Sequence, residues 1–244
     1  MNILAVDTSA SPVSAALLHD GKLMGEFYLN TKTTHSQTLM PIVEALLKTA
    51  AVELKDIDVF AVNAGPGSFT GVRIGVATVK GMSMPLDKKC ASVSTLESMA
   101  HCMPYTSGIV CAVMDARCSQ VYNALFMLDD GDIQRLTEDR AISIAELEAD
   151  LGNYEENTIY LVGDGAELCY KAFGEKYHSV MLTPENIRFQ HAYGTAKAAE
   201  KMAAGNSLCS SDELMPMYLR LPQAERELKE RKEKKKQIER DNDL

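Results

Sequence analysis

The segment Asn63–Gly75, NAGPGSFTGVRIG, has the residue types of a phosphate-binding loop. It is rich in glycine, follows the apolar run Ile57–Val62 and opens into a helix-forming stretch. Neither standard spacing is met. A Walker loop requires Gly, four residues, Gly, then Lys and Ser or Thr. Five residues after Gly65 stands Thr70, and no Lys-Ser or Lys-Thr pair follows. The dinucleotide fingerprint G-x-G-x-x-G fits Gly65 and Gly67 but then meets Thr70, with Gly71 one place late. A strand-to-helix turn capped by Ser68 or Thr70 could still offer free amides to an anion. Spacing alone leaves anion binding and a purely structural turn both open.

Other chemistry has less support. No G-x-S-x-G elbow is present to expose a nucleophilic serine. The six cysteines (Cys90, Cys102, Cys111, Cys118, Cys169 and Cys209) form no C-x-x-C pair and read as reduced, mostly buried thiols of a cytosolic protein. The amino terminus has no charged, apolar leader pattern, and no apolar run is long enough to span a bilayer, so neither secretion nor membrane insertion is expected. Net charge is −9 over 244 residues; from Glu225 onward eight Lys and Arg face seven Asp and Glu, which leaves the acidity in the body of the chain. Such a body argues against broad nucleic-acid binding through its own surface.

The elements that would position these residues occur twice. An apolar run, Asn2–Val6, ends in Asp7-Thr8-Ser9; strands Val13–His19 and Lys22–Leu29 follow around the turn Asp20-Gly21. A helix over Ser36–Ala51, a strand over Ile57–Val62, a helix over Thr70–Met84, a short strand at Cys90–Val93 and a helix from Ser94 complete the first unit. The second unit repeats this order: Ile109–Met114 ending in Asp115, Gln120–Leu128, the turn Asp130-Gly131, Ile133–Thr137, then alternating helices and strands up to Ala204. The expected halves are 1–105 and 106–222, with a charged tail over 223–244. Two β-β-β-α-β-α units resemble the α/β fold shared by actin, sugar kinases and heat-shock chaperone ATPases. That likeness implies a nucleotide cleft between the halves, with Asp7, Thr8, Ser9, Asp115, Gly163 and Gly165 placed to meet ATP or ADP with Mg. The competing reading is that Asp7 and Asp115 only cap turns beside their own neighbours.

Three stretches narrow the resemblance. Asp7-Thr8-Ser9, Thr34-His35-Ser36 and Gly65–Gly75 together resemble the TsaB family, also called YeaZ. Ser94–Glu97, Met114–Arg117, Val121-Tyr122, Gly163–Gly165 and Met217–Arg220 extend the likeness over residues 1–222. The resemblance implies a non-catalytic partner of the paralogue TsaD and the P-loop ATPase TsaE. That system forms N6-threonylcarbamoyladenosine at position 37 of ANN-decoding tRNAs, so tRNA would be met only through the complex. In TsaD, metal is held partly by an H-x-x-x-H helix pair. Here His19, His35, His101, His178 and His191 include no such pair, so no metal of its own is expected. Glu97, one turn before His101, could ligate a metal with it, but the pair reads first as a solvated ion pair. Any nucleotide affinity is expected to be weak. A small-molecule kinase or ATPase is the rival reading, and a metallopeptidase the weakest.

The glycine segment then suggests a contact surface. On a helix, Gly71, Gly75 and Thr78 share one side with Val72, Val76 and Val79 beside them, a shallow groove for a partner helix. The preceding helix offers Leu39, Val43, Leu46 and Leu47. In the family these two helices contact a second copy or the catalytic paralogue, which implies a homodimer when the chain is alone. The tail alternates charges with almost no apolar face and reads as a solvated or frayed helix; the other reading is a contact for RNA phosphates or an acidic partner through Lys234–Lys236.

Overall fold

In the computed structural model, residues 1–31, 33–103 and 106–220 are described; the charged tail lies outside them. The first sheet contains β1 (Asn2–Asp7), β2 (Val13–His19), β3 (Lys22–Leu29), β4 (Val59–Gly65) and β5 (Lys89–Ser94) in the order β3-β2-β1-β4-β5. Among these strands in the chain come the helices α1 (His35–Ala50), α2 (Phe69–Ser83) and α3 (Thr95–His101), of which α3 buries Leu96, Met99 and Ala100 against the second sheet. The second sheet contains β6 (Gly108–Asp115), β7 (Gln120–Asp129), β8 (Asp132–Arg135), β9 (Arg140–Ser143), β10 (Ile159–Val162) and β11 (Val180–Leu182). Its order is β11-β10-β6-β7-β8, with β9 also on β7. Helices α4 (Ile144–Leu151), α5 (Ala166–Ala172), α6 (Glu185–Arg188) and α7 (Ala192–Ala204) complete the chain.

The duplication is exact in pairing. β1 lies antiparallel to β2 and parallel to β4, as β6 lies antiparallel to β7 and parallel to β10. Asp20-Gly21 and Asp130-Gly131 both turn with two positive φ angles, the geometry that matches strand twist in a two-residue hairpin. One departure is local. The return strand expected over Ile133–Thr137 is β8, which ends at Arg135 because Leu136 and Thr137 both donate to the Leu125 carbonyl and the Thr137 hydroxyl accepts the Leu125 amide; β9 is a further strand beyond it. That crossing interrupts the ladder, and the long β7 takes the two short strands one after the other.

Amphipathic α1 and α2 bury Leu39, Val43, Leu46, Val72, Val76 and Val79 against Leu4, Val6, Phe60 and Val62 on one face of the first sheet. The other face is covered by α7, whose Ala192, Ala196 and Ala199 lie on Ala5, Ala16, Ala61 and Ala91. Small residues on both sides let helix and sheet approach closely. Although α7 follows the second sheet in the chain, it packs on the first. Behind it the chain crosses back: Cys209 exchanges both backbone bonds with Cys90 at 2.9 Å, Leu214 is buried in the first core, and Met217 donates to the Ala64 carbonyl at 2.7 Å.

Candidate functional site

A cavity of about 450 Å³ lies between the halves, lined by Ser9, Gly67, Phe69, Asp115, Arg117, Tyr122, Asp164, Tyr218 and Arg220 among others. The duplicated acids stand at the ends of β1 and β6 in the same local bond. Asp7 Oδ1 accepts the Ser9 amide at 2.7 Å, and Asp115 Oδ1 accepts the Arg117 amide at 2.7 Å. Their surroundings differ. Asp7 is buried, its Oδ2 meets no hydrogen-bond partner, and desolvation raises its pKa. Asp115 is open to the cleft. Asp164 stands beside it; its surface reaches the cleft, yet desolvation by the walls, with the charge of Asp115 adding to it, raises its pKa to about 6.

The other residues expected to meet a nucleotide separate into two groups. Ser9 borders the cleft with a buried hydroxyl that has no partner. Thr8 instead donates to the Gly71 carbonyl at 2.7 Å. Gly163 and Gly165 do not present amides to a phosphate: the first donates to the Arg188 carbonyl at 2.6 Å and the second to the Val113 carbonyl at 3.2 Å. Both let the β10–α5 turn lie against β6, where a Cβ would strike the Val113 carbonyl or the Met114 backbone. Sequence reasoning missed Arg117, Asp164 and Arg220. Asp164 was within reach, since the motif Gly163-Asp164-Gly165 drew attention only to its glycines.

The glycine face of α2 requires a correction. The spacing argument turned Gly71 and Gly75 outward as a groove for a partner, but they face β1 of their own chain. A Cβ at Gly71 would collide with the Thr8 carbonyl, and one at Gly75 would lie 2.6 Å from Thr8 Oγ1 and 3.0 Å from Val62 Cγ2. Leu39, Val43, Leu46, Leu47, Val72, Val76 and Val79 are likewise buried within the chain, so they leave no apolar strip uncovered. Only Thr78 is half-exposed. Helical periodicity identifies a face and not the side on which the sheet lies. The outward face of α2 carries Arg73, Ala77, Gly81 and the following Met84, and α1 exposes Met40, Pro41 and Glu44.

Glu97 and His101 are also not the solvated pair expected. The Glu97 carboxylate accepts from Arg135 Nη2 at 2.9 Å, while His101 is largely buried, its Nε2 without a partner. Burial lowers the His101 pKa to about 4, against a smaller opposing effect of Glu97 and with help from Lys201 and Lys197. Among the described residues no group of three or more His, Cys, Asp or Glu could hold a metal ion.

Two sheets with the same pairing and a cleft between them at the ends of β1 and β6 define the actin-like class of two-half α/β proteins. Comparison with known proteins narrows this. The family model for TsaD, tRNA N6-adenosine threonylcarbamoyltransferase, matches residues 25–228. The chain is 31% identical to the tRNA threonylcarbamoyladenosine biosynthesis protein TsaB of Bacillus subtilis, over 92% of this chain and 96% of that one. It is also 31% identical to TsaB of Escherichia coli, over 90% and 95%. The solved structure of YeaZ from Pseudomonas aeruginosa superposes with a TM-score of 0.74 at 27% identity, covering 89% of this chain and 99% of that one. The chain belongs to the TsaB/YeaZ family.

Two outcomes follow from this geometry. Gly75→Leu should cost the monomer about 3 kcal/mol or more through overpacking, which lowers its melting temperature by about 6–12 °C; an unchanged melting curve in calorimetry would return Gly75 to the surface. His101 contributes pH dependence of a definite sign. Its folded pKa lies below the 6.5 of the unfolded chain, so its contribution is intact above that value and is lost as pH falls from 6.5 towards 4. Between pH 7 and pH 4.5, His101→Gln should therefore lose up to about 3 kcal/mol less stability than the unsubstituted chain in urea titrations.

Proposed function

We propose that this chain acts in threonylcarbamoyladenosine formation on tRNA as a non-catalytic subunit that supports a TsaD-type catalytic paralogue. The observation that carries the reading is the near full-length identity to TsaB proteins bearing that name. Within the chain, Asp7 is committed to the turn at Ser9, Glu97 to Arg135, and the glycine segment to internal packing. These are commitments to structure, and they favour a scaffold over an enzyme. Substrate tRNAs would be the ANN-decoding set, modified at position 37 in the cytoplasm and met through the complex, with the P-loop ATPase TsaE as a further member.

The contact we assign is the outward face of α1 and α2. Ala77 and Gly81 stand one turn apart on that face, and nothing lies within 4 Å of a Cβ built at Gly81. Met84 follows Gly81 one turn on, 50% exposed, and Met40 of α1 is 39% exposed. Small residues beside flexible apolar ones let a second helix pair approach closely, and a patch that fits itself closes as a two-fold dimer. The paralogue would use the same face and displace one copy.

The cleft retains partial means of holding Mg with ATP or ADP. Asp115, Arg117 and Arg220 border it with side chains of the charge needed to meet a metal and phosphates. Without the amides of Gly163 and Gly165, the affinity should be weak. Such a nucleotide would supply charge and bulk between the halves; the chain's own groups would only position it.

Reconstitution tests the function. With the paralogue, TsaE, ATP, tRNA and a ready-made activated threonylcarbamoyl donor, omission of this chain should abolish the modified nucleoside in mass spectrometry of digested tRNA. Full yield without it would refute the role, and ATP turnover by the chain alone would favour the kinase reading. For the contact, Gly81→Leu should leave the monomer as stable or slightly more so, since an exposed helical glycine is replaced by a better helix former. It should weaken self-association in sedimentation at least tenfold, about 1.4 kcal/mol. Dimerisation at unchanged strength would refute this face.

A further inference from the structure

Past Leu214 the chain changes character. Up to that point it is held firmly: Cys209 is paired with Cys90, the Lys80 ammonium donates to the Asp212 and Leu214 carbonyls at 3.3 Å, and Leu214 is fully buried. From Met215 to Arg220 it becomes a strap across the mouth of the cleft. Its described polar ties are the Met217 amide to Ala64, the Arg220 guanidinium to the Ala116 carbonyl at 2.9 Å, and the Tyr218 hydroxyl, which accepts from Arg73 Nε at 2.7 Å. The Tyr218 ring stacks on Phe69 at 4.9 Å, and Arg73 lies over the other ring at 3.7 Å. Met215, Met217, Tyr218 and Leu219 nevertheless remain exposed. A segment that buries little and is tied at a few points opens at a small fraction of the global unfolding free energy.

The strap is also a wall. Met217 and Leu219 border the cleft on one side and a second cavity of about 450 Å³ on the other, between β5 and the β8–β9 connection. Lifting the strap would join the two spaces and open the cleft sideways, while lowering it adds Tyr218 and Arg220 to the cleft lining. We propose that residues 215–220 form a lid, clasped by Arg73, that closes over a nucleoside polyphosphate in the cleft. The lid rests on the reading of the cleft as a nucleotide site. Closure and binding then reinforce one another, because whatever favours the closed strap favours the ligand by the same factor.

Arg73 suits the test because it holds the strap without bordering the cavity, and Tyr218→Phe, which leaves the outward face of α2 intact, separates loss of the clasp from any change in self-association. Three measurements on the full chain are needed: calorimetric affinity for Mg-ATP, amide exchange at Met217 with and without Mg-ATP, and both again in Arg73→Ala. We expect exchange at Met217 to be faster than at Leu214 without ligand and to slow at least fivefold at saturation. Arg73→Ala should speed exchange at Met217 and weaken Mg-ATP at least fivefold, with Tyr218→Phe, which keeps the stacking and loses the hydrogen bond, in between. Binding that leaves exchange at Met217 untouched, or equal affinity in all three chains, would overturn the lid and leave the nucleotide site standing. Exchange at Met217 as slow as at Leu214 would overturn the lid whatever the cleft binds. No heat at millimolar Mg-ATP would remove the nucleotide reading and the lid with it.

Discussion

The contact on which the rest depends is that of Thr8 with the bare side of α2. At the end of β1 the chain turns through the Asp7–Ser9 bond and places the Thr8 hydroxyl on the Gly71 carbonyl, above the unsubstituted α-carbons of Gly71 and Gly75. The next residue continues the approach, since the Ser9 carbonyl accepts the Ser68 amide at 2.6 Å. Two glycines inside a helix lower its intrinsic stability by about 1 kcal/mol each. Here that cost is offset by a hydrogen bond and by tight packing in a site no larger residue would fit. The cleft, the α1–α2 surface and the seat of the strap all inherit their positions from this approach.

The same residues answer what a glycine-rich turn does when it fails the nucleotide spacings. In a phosphate loop the glycines leave amides free for a ligand. In this chain the space made by the missing side chains is filled by the protein's own backbone: Thr8 over α2, and the Met217 carbonyl over Gly65. The second half repeats the device, with Gly163 and Gly165 set against β6. Both halves have therefore turned the loop geometry of a binding fold towards internal packing, and what the cleft retains is charged side chains: Asp115, Arg117 and Arg220.

This explains how far the sequence could be read. The duplicated order of elements was legible because strand alternation, the Asp-Gly turns and the helical periodicity of α1 and α2 are local signals. The family was legible because its motifs occur in order. The orientation of α2 was not, since Gly71, Gly75 and Thr78 form a regular stripe whichever way it points, and only the position of β1 decides. Nor was the packing of α7 on the first sheet legible, because its alanines suit either sheet and the choice is made by the facing Ala5, Ala16, Ala61 and Ala91. For Glu97 the competing partner, Arg135, lies 38 residues away in the chain, beyond any helical-pair argument.

A single rigid helix thus has three neighbours. The inward face of α2 carries Thr8, its outward face shows Ala77 and Gly81, and its first turn holds the strap through Phe69 and Arg73. Arg73 belongs to two of these, one turn before Ala77 on the outward face and in contact with Tyr218 over the cleft. A partner that docks on the outward stripe must bury or displace that guanidinium. If it holds Arg73 in place it holds the strap, and if it draws Arg73 into an ion pair of its own it frees Tyr218. If the proposed contact and the proposed lid both hold, occupancy of the helix face and occupancy of the cleft are coupled through this one side chain. The sign of that coupling is set by the charge the partner brings to Arg73: an apolar or cationic partner leaves the clasp to Tyr218, and an acidic one competes for it.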